Sequence, residues 1–202
     1  MEIVDLKSEW RALYTAKRTP ALLKVPRRTV IAVDGEGAPA GEAFQHAVQA
    51  LYGVAYTAKF TLKKAGIADF PVMPLEAQWE PGALGWMPGP GEAWRWTALI
   101  AVPDLLTARM VRSAAAAAAG KQPNPALAAV AWRSLPGGLA AQVMHVGPYA
   151  AEPPTVEVLH AFIADQGCRI TGRHQEIYLS DPRRTAPERL RTIIRYAVRR
   201  SR

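Results

Sequence analysis

The sequence has one cysteine, Cys168, in 202 residues. A single cysteine excludes an internal disulfide and a metal cage made of several cysteines. No apolar run approaches the roughly 20 residues that a membrane-spanning helix needs. The first ten residues carry acids where a secretory signal would be basic and then apolar. Half of the residues are hydrophobic, enough for a packed core. We therefore expect a soluble cytoplasmic protein with no membrane partner.

Acidic residues are scarce at the carboxyl-terminal end. Residues 167–202 contain ten arginines and three acids, whereas residues 1–166 are nearly balanced in charge. The net charge of +8 is therefore mostly local. A basic patch can bind phosphate backbones, but solvated surface arginines are commoner. The distribution argues against nucleic acid as a partner.

Histidines are few and show no metal-ligand spacing; the four are His46, His145, His160 and His174. The string Gly35-Glu36-Gly37 lacks the third glycine of a dinucleotide-binding loop. We therefore expect no metal site and no cofactor.

The hydrophobic pattern predicts two similar strand–helix–strand–strand segments. In the first, a strand begins at Arg28, a helix covers residues 41–65, and strands follow at 75–79 and 94–102. The second has a strand at 139–146, a helix at 153–166, and strands at 173–179 and 190–198. Between the two segments, the sequence predicts an alanine-rich helix within 103–120 and a short helix at 125–135. Within the first segment, it predicts a turn at Pro81–Gly91.

The predicted fold class is α+β, with two modules related by a pseudo-twofold axis around a central ligand groove. Residues 1–27 are interpreted as a lead-in that packs loosely before a single domain at 28–202. That domain consists of modules at 28–102 and 139–202 and a helical insert at 103–138. A groove between two such modules is the default place for a ligand. Monomer and homodimer both remain open.

Two glutamates occupy comparable places, on the strand that follows each long helix. Glu76 and Glu176 each lie in an apolar string, where a carboxylate costs free energy unless it is solvated, paired or lining a cavity. Strand alternation puts Glu176, Tyr178 and Ser180 on one face. An ordinary amphipathic strand with Glu176 facing water is an equal alternative, and for Glu76 that plain explanation is the stronger one.

Aromatic residues make up only 8% of the chain, yet six are tryptophans. As a set near two carboxylates, these rings would suit a flat aromatic or cationic ligand through stacking and cation–π contacts. Core filling is the plain explanation for any single one. The tryptophans between the two long helices are Trp79, Trp86, Trp94, Trp96 and Trp132.

The string His145-Val146-Gly147-Pro148-Tyr149 ends a predicted strand at a tight turn. A lone histidine such as His145 is more often a hydrogen-bonded core residue than a base. Tyr149 follows the turn, so we expect its side chain to face the space beyond the end of the strand.

Four strings of the sequence carry a family resemblance. They are DGEGAP at 34–39, Leu75-Glu76 with Trp79, HVGPY at 145–149 and HQEIYLSDP at 174–182. Together they resemble the GyrI-like small-molecule-binding family, over nearly everything from about residue 20 onward. The resemblance implies two strand–helix–strand–strand modules around a groove, in agreement with the pattern above.

The resemblance implies a small-molecule site and leaves several functions open. Some family members are effector domains of transcription regulators that bind lipophilic cations with a buried glutamate and aromatic rings. Others resemble a gyrase-inhibitory protein. The subgroup that this sequence resembles most hydrolyses cyclopropane-bearing, DNA-alkylating natural products, which is a detoxification activity. Its usual string is Leu-Glu-Gly-Leu-Trp-Trp, from which Ala77, Gln78 and Glu80 depart here.

Ring opening by such a hydrolase needs a carboxylate to deprotonate water, a donor near the developing oxyanion, and rings to hold a flat substrate. We expect Glu176 to be the base and Tyr149 the donor or water-orienting partner. A non-catalytic small-molecule binder or sensor, or a gyrase-interacting protein, is the alternative. The expected ligand-binding residues are Trp79, Trp96, Trp132, Glu76, Tyr178 and His145.

Overall fold

The computed structural model describes residues 1–82, 86, 88 and 92–201. Its helices are α1 (Leu6–Glu9), α2 (Glu42–Lys64), α3 (Ala108–Ala119) and α4 (Pro153–Asp165), with short 3-10 turns at Arg11–Leu13, Pro125–Ala129, Tyr149–Ala151 and Pro187–Arg189. Its strands are β1 (Glu2–Ile3), β2 (Ala21–Val25), β3 (Arg28–Glu36), β4 (Ala68–Asp69), β5 (Leu75–Trp79), β6 (Arg95–Ala101), β7 (Ala131–Leu135), β8 (Gly138–Val146), β9 (Cys168–Ile170), β10 (His174–Tyr178) and β11 (Arg191–Arg200).

One antiparallel sheet organises the molecule, in the strand order β2-β8-β11-β10-β5-β6-β3-β7. β9 also pairs with β11, while β1 and β4 form a separate parallel pair. Helix α2 packs against β3 and β6, and α4 packs against β8 and β9. β5 and β10 therefore lie between the two helices. The fold is α+β, as the sequence predicts.

Helix α2 forms because its small and apolar residues recur at helical spacing on one face. It begins after Gly41 and ends at Lys64, close to Gly66, whose positive φ of 68° suits glycine. The face that it buries against the sheet carries Phe44, Ala47, Ala50, Leu51, Val54, Ala55, Ala58 and Leu62.

The interpretation of residues 1–27 as a loosely packed lead-in is wrong. Trp10 and Leu13 are buried in the main core, and residues 21–25 form β2, which pairs with β8. The lead-in also supplies hydrogen bonds to the sheet, since Tyr14 reaches Glu76 across 62 positions of sequence. Such long-range partners leave no local periodicity that a sequence pattern could reveal.

The predicted second short helix at 125–135 is also wrong. Only Pro125–Ala129 is helical, as a 3-10 turn, and Ala131–Leu135 is the strand β7, paired with β3. Pairing of β7 with the edge of the sheet prevails over the helical tendency of this alanine-rich stretch. The insert is therefore part helix and part sheet.

The turn predicted at Pro81–Gly91 falls mostly on residues outside those that the structure describes. Within the described ranges, none of the helices combines the length and the apolar character needed to span a membrane.

Candidate functional site

The strand register divides the sheet into two faces with different chemistry. Ala77 lies directly opposite Glu176, whereas Glu76 lies opposite Ile177. Because directly opposed residues of antiparallel strands share a face, Glu76 and Glu176 point to opposite sides. Trp79, on the side of Glu176, contacts Phe44 of α2. We call the side of Glu176 the helix-covered face and the side of Glu76 the back face.

Two carboxylates and an imidazole meet on the helix-covered face. One ligand atom from each of Glu152, His174 and Glu176 lies within 4.8 Å of the others. His174 and Glu176 alternate along β10, and Glu152 comes from the start of α4. We call these three residues the carboxylate cluster.

His174 is held in one orientation by hydrogen bonds on both ring nitrogens. Its Nε2 is 3.1 Å from Glu176 Oε1, and its Nδ1 is 2.7 Å from the Tyr196 hydroxyl. These partners fit the tautomer in which Nε2–H donates to Glu176 and Nδ1 accepts from Tyr196. The ring of Trp86 lies against His174 with 4.9 Å between centroids, and His160 of α4 packs on Tyr196.

Two tyrosines stand beside Glu176. The rings of Tyr149 and Tyr178 meet edge to face, with centroids 5.8 Å apart at 89°. Burial, followed by the charge of Glu176 and a hydrogen bond to it, raises the pKa of Tyr178 well above its ordinary value. Burial and the nearby Glu176 and Glu152 raise the pKa of Tyr149 to about 12. Both hydroxyls therefore keep their protons at neutral pH and can donate.

The turn after β8 brings Tyr149 and Glu152 to this place. Gly147 adopts a φ of 141°, which favours glycine, and the chain then makes a 3-10 turn at Tyr149–Ala151. Glu152 follows as the residue before α4, and 2% of its surface is exposed. Burial, reinforced by the charge of Glu176, raises the pKa of Glu152 to about 9.

The carboxylate cluster has the donor types of a carboxylate–imidazole metal site. In this arrangement, however, His174 Nε2 is already engaged with Glu176. A metal ion would have to replace that hydrogen bond.

Glu76, which the sequence predicts as a ligand-binding carboxylate, lies on the other face of the sheet from Glu176. Glu76 is fully buried on the back face and accepts hydrogen bonds from Tyr14 at 2.7 Å, Arg28 at 2.7 Å and Gln175 at 2.5 Å. Although burial alone would raise it, the guanidinium groups of Arg28 and Arg195 hold the pKa of Glu76 below its usual value. Its carboxylate fixes the lead-in and β3 to the sheet.

The three tryptophans predicted to bind the ligand lie in different parts of the structure. Trp132 lies on the edge strand β7, several strands away from β10, and its Nε1–H donates to the Leu106 carbonyl. Trp96 is a core residue: it lies over Gly35, where an added Cβ would come within 2.2 Å of the ring, and meets Phe44 edge-on. Trp79 sits opposite His174 and borders the carboxylate cluster, although it is 3% exposed.

His145, another predicted ligand-binding residue, has partners within the protein. Its Nδ1 is 3.0 Å from the Thr155 hydroxyl and its Nε2 is 3.2 Å from the Pro148 carbonyl. Both ring nitrogens are thus engaged within the protein. His145 ties the start of α4 to the turn that carries Tyr149.

Glu152, His174 and Tyr196 were absent from the residues predicted for the site. His174 could have been found, because alternation along β10 places it on the same face as Glu176. Glu152 carries no such signal, since an acid at the start of a helix is common for capping alone. Tyr196 comes from the neighbouring strand and needs the register to be known.

The back face also carries a cleft, of about 670 Å³. Four of the charged side chains that line it form two ion pairs: Arg133 binds Asp34 at 2.5 Å, and Arg173 binds Glu80 at 2.8 Å. The Thr97 hydroxyl donates to Asp34. These four charges are therefore neutralised within the protein, and Glu36 and Arg95 also line the cleft.

The comparisons with known proteins agree with this architecture. A family model for the GyrI-like small molecule binding domain matches residues 108–199. A crystal structure of a hydrolase from Listeria innocua is 37% identical, with a TM-score of 0.85 over 97% of this chain and 100% of that one. An uncharacterized conserved protein of the same species has 37% identity and a TM-score of 0.86 over the same shares of both chains. A comparison with curated proteins gives no match.

A more distant structure shows the fold alone. The C-terminal domain of EcmrR is 14% identical, with a TM-score of 0.59 over 91% of this chain and 98% of that domain.

The sheet, its two covering helices and the buried cluster between them define a small-molecule-binding α+β domain. The chain belongs to the GyrI-like small-molecule-binding family.

Proposed function

We propose that this protein binds a flat, largely apolar small molecule against Glu176 and hydrolyses cyclopropane-bearing genotoxic compounds. The observation that carries the proposal is the state of Glu176. Its side chain is 12% exposed beside two tyrosines and an imidazole. In the part of the chain that the structure describes, no lysine or arginine forms an ion pair with it. A carboxylate in that setting is available to water and to a ligand.

Glu176 and Tyr149 have different roles in the proposed reaction. A cyclopropane conjugated to a ring ketone opens when water attacks the ring carbon. The C–O bond forms, the strained C–C bond breaks, and its electron pair moves to the ketone oxygen. Glu176 takes the proton from water as general base. Tyr149, which is 39% exposed and protonated, donates a hydrogen bond to the developing oxyanion.

His174 and Tyr178 act on Glu176 rather than on the substrate. His174 Nε2–H donates to Glu176 Oε1, and the Tyr178 hydroxyl hydrogen-bonds to the same carboxylate. These bonds hold the carboxylate of the base in one orientation. Similarity to the Listeria innocua protein, described as a hydrolase, supports the assignment of hydrolysis.

The test is multiple turnover of a duocarmycin-type alkylator that contains the cyclopropane. The protein is incubated with excess compound, and ring-opened product is followed by mass spectrometry. We expect product in large molar excess over protein, and loss of this activity in Glu176→Gln. Stoichiometric loss of compound, or a Glu176→Gln variant as fast as the wild type, would refute hydrolysis.

A second function, binding without turnover, is favoured by the same carboxylate. A partly exposed carboxylate beside the rings of Tyr149 and Tyr178 suits a lipophilic cation. Titration calorimetry with a planar organic cation separates the two functions. Tight binding without any ring opening of the alkylator would identify a sensor or a sequestering protein.

A further inference from the structure

Glu152 is a buried acid whose side chain does not cap its own helix. Its backbone carbonyl accepts the first hydrogen bonds of α4, from Thr155 and Val156. Its carboxylate makes no cap for that helix. Oε1 is buried and has no hydrogen-bond partner among the described residues. An acid at a helix start is ordinarily stabilised by the helix dipole and the free N–H groups, whereas the carboxylate of this one lies near His174 and Glu176 of β10.

The side chain of Glu152 lies close to a second carboxylate. Glu176 lies within 4.8 Å of it through their ligand atoms. Among the described residues, no lysine or arginine pairs with either side chain. Two carboxylates this close in a buried site cannot both be ionised at low cost. The titratable groups that face the pair come from the turn, α4, β10, β11 and β8: Tyr149, His160, His174, Tyr178, Tyr196 and His145.

The asymmetry of the pair indicates which carboxylate keeps the proton. Glu176 accepts hydrogen bonds from His174 and Tyr178. Glu152 receives no such bond at Oε1 and is the more deeply buried of the two. The neutral form therefore belongs to Glu152.

We propose that Glu152 and Glu176 form an acid–base pair that shares one proton, with Glu152 as the catalytic acid of the ring opening. The proposal rests on the hydrolase function proposed above. As water attacks, Glu176 accepts a proton from the water, and the former ketone oxygen takes the proton of Glu152. The proton on Glu176 then passes to Glu152 across the short distance between them. The pair returns to its starting state without any further reactant.

The first measurement needs neither turnover nor a variant. Glutamate side chains are labelled with 13C at the carboxyl carbon and titrated by NMR from pH 4 to 10. We expect one glutamate to remain protonated at neutral pH. Its signal should be absent from Glu152→Gln and present in Glu157→Gln, a matched change at an exposed position of the same helix. A titration in which every glutamate ionises below pH 6 would overturn the shared proton.

The second measurement is the pH dependence of kcat. General acids contribute roughly 100- to 10,000-fold, so Glu152→Gln should slow ring opening by at least about 100-fold. Because Gln has the shape of the protonated acid but cannot give up a proton, the fall in rate at alkaline pH should also disappear. Glu157→Gln should keep both the rate and the profile. A Glu152→Gln variant with the wild-type rate and the wild-type alkaline limb would overturn the catalytic role.

The two measurements also separate this proposal from the proposed function. If the wild type turns over nothing, hydrolysis fails and with it the role of Glu152 as catalytic acid. The NMR titration would still decide whether the pair holds one proton. If the protein turns over the alkylator but no glutamate is protonated at neutral pH, the hydrolase function is supported and the acid–base pair is refuted.

Discussion

Each face of the sheet carries a glutamate, and the two glutamates have opposite surroundings. On the back face, Glu76 accepts hydrogen bonds from Arg28, Tyr14 and Gln175, so its charge is fully compensated. On the helix-covered face, Glu176 and Glu152 stand close together with no arginine or lysine paired to them among the described residues. A buried carboxylate that is satisfied within the protein holds the fold together. One that is left available is the better candidate for chemistry.

The comparison also explains why position along the strand is a poor guide to role. Glu76 and Glu176 both follow the long helix of their module, but the register offsets them by one residue. Since side chains alternate along a strand, one residue is enough to move a carboxylate to the other face. The face, and not the place in the repeat, decides which groups surround each glutamate.

The largest expected effect is on activity, from Glu176→Gln. Removal of a general base lowers the rate by roughly 100- to 10,000-fold, while the midpoint of thermal unfolding should change little. The matched control is Glu188→Gln, whose side chain is 73% exposed. Steady-state kinetics with mass-spectrometric detection measures both. Equal losses in the two variants would show that Glu176 has no special part in the reaction.

The next effect is on stability, from Arg28→Ala. This change leaves the carboxylate of Glu76 buried without its ion pair. Breaking a buried pair by removing one partner costs about 3–5 kcal/mol. The neighbouring Arg27→Ala removes an ion pair whose side chains are 58% and 62% exposed, and should cost about 0–1 kcal/mol. Urea denaturation of both variants makes the comparison.

A similar cost for Arg27→Ala and Arg28→Ala would mean that the back-face pair is not a structural clamp. A loss of ring-opening activity in Arg28→Ala at a temperature where the variant is fully folded would contradict the division between the two faces.

The lead-in provides a smaller test of the same clamp, with Tyr14→Phe. The Tyr14 hydroxyl donates to Glu76 at 2.7 Å, and a hydrogen bond to a charged group contributes about 1.5–3 kcal/mol. Tyr56→Phe, at a tyrosine that is 46% exposed on α2, is the control. Denaturation curves should show a loss in the first variant and little change in the second. If the two variants have the same free energy of unfolding, the hydrogen bond from Tyr14 to Glu76 does not stabilise the sheet.

The smallest effect is expected in the back-face cleft, from Arg133→Gln. The ion pair of Arg133 with Asp34 has side chains that are 35% and 60% exposed, so its loss should cost less than about 1 kcal/mol. Turnover of the alkylator should be unchanged. A marked rise in KM would instead place the ligand on the back face.

Much of the fold was predictable because its elements carry local periodicity. The helix of residues 42–64 and the alternation along His174–Tyr178 follow directly from apolar spacing. The strand Ala131–Leu135 was missed because an alanine-rich stretch favours helix until the edge of a sheet is there to pair with. The strand Ala21–Val25 was missed because it lies in a segment interpreted as a loose lead-in.

The candidate site was predictable only in part, for a similar reason. Glu176, Tyr178 and Tyr149 lie on one strand and beside one turn, and the sequence pointed to all three. Glu152 is a candidate for chemistry only because it lies close to Glu176. The packing of α4 on the sheet brings the two side chains together. The role of Glu76 depends on Tyr14 and Arg28, which are 62 and 48 residues away in sequence. Contacts of that range arise from tertiary structure.

The most direct test of which face binds the ligand is a crystal structure of Glu176→Gln with a cyclopropane-bearing alkylator. Because this variant should bind without turning over, the intact compound can be located. The account predicts that it lies on the helix-covered face, between α2 and α4, in contact with residue 176 and Tyr149. Density for the compound in the back-face cleft, against Asp34 and Arg133, would contradict it.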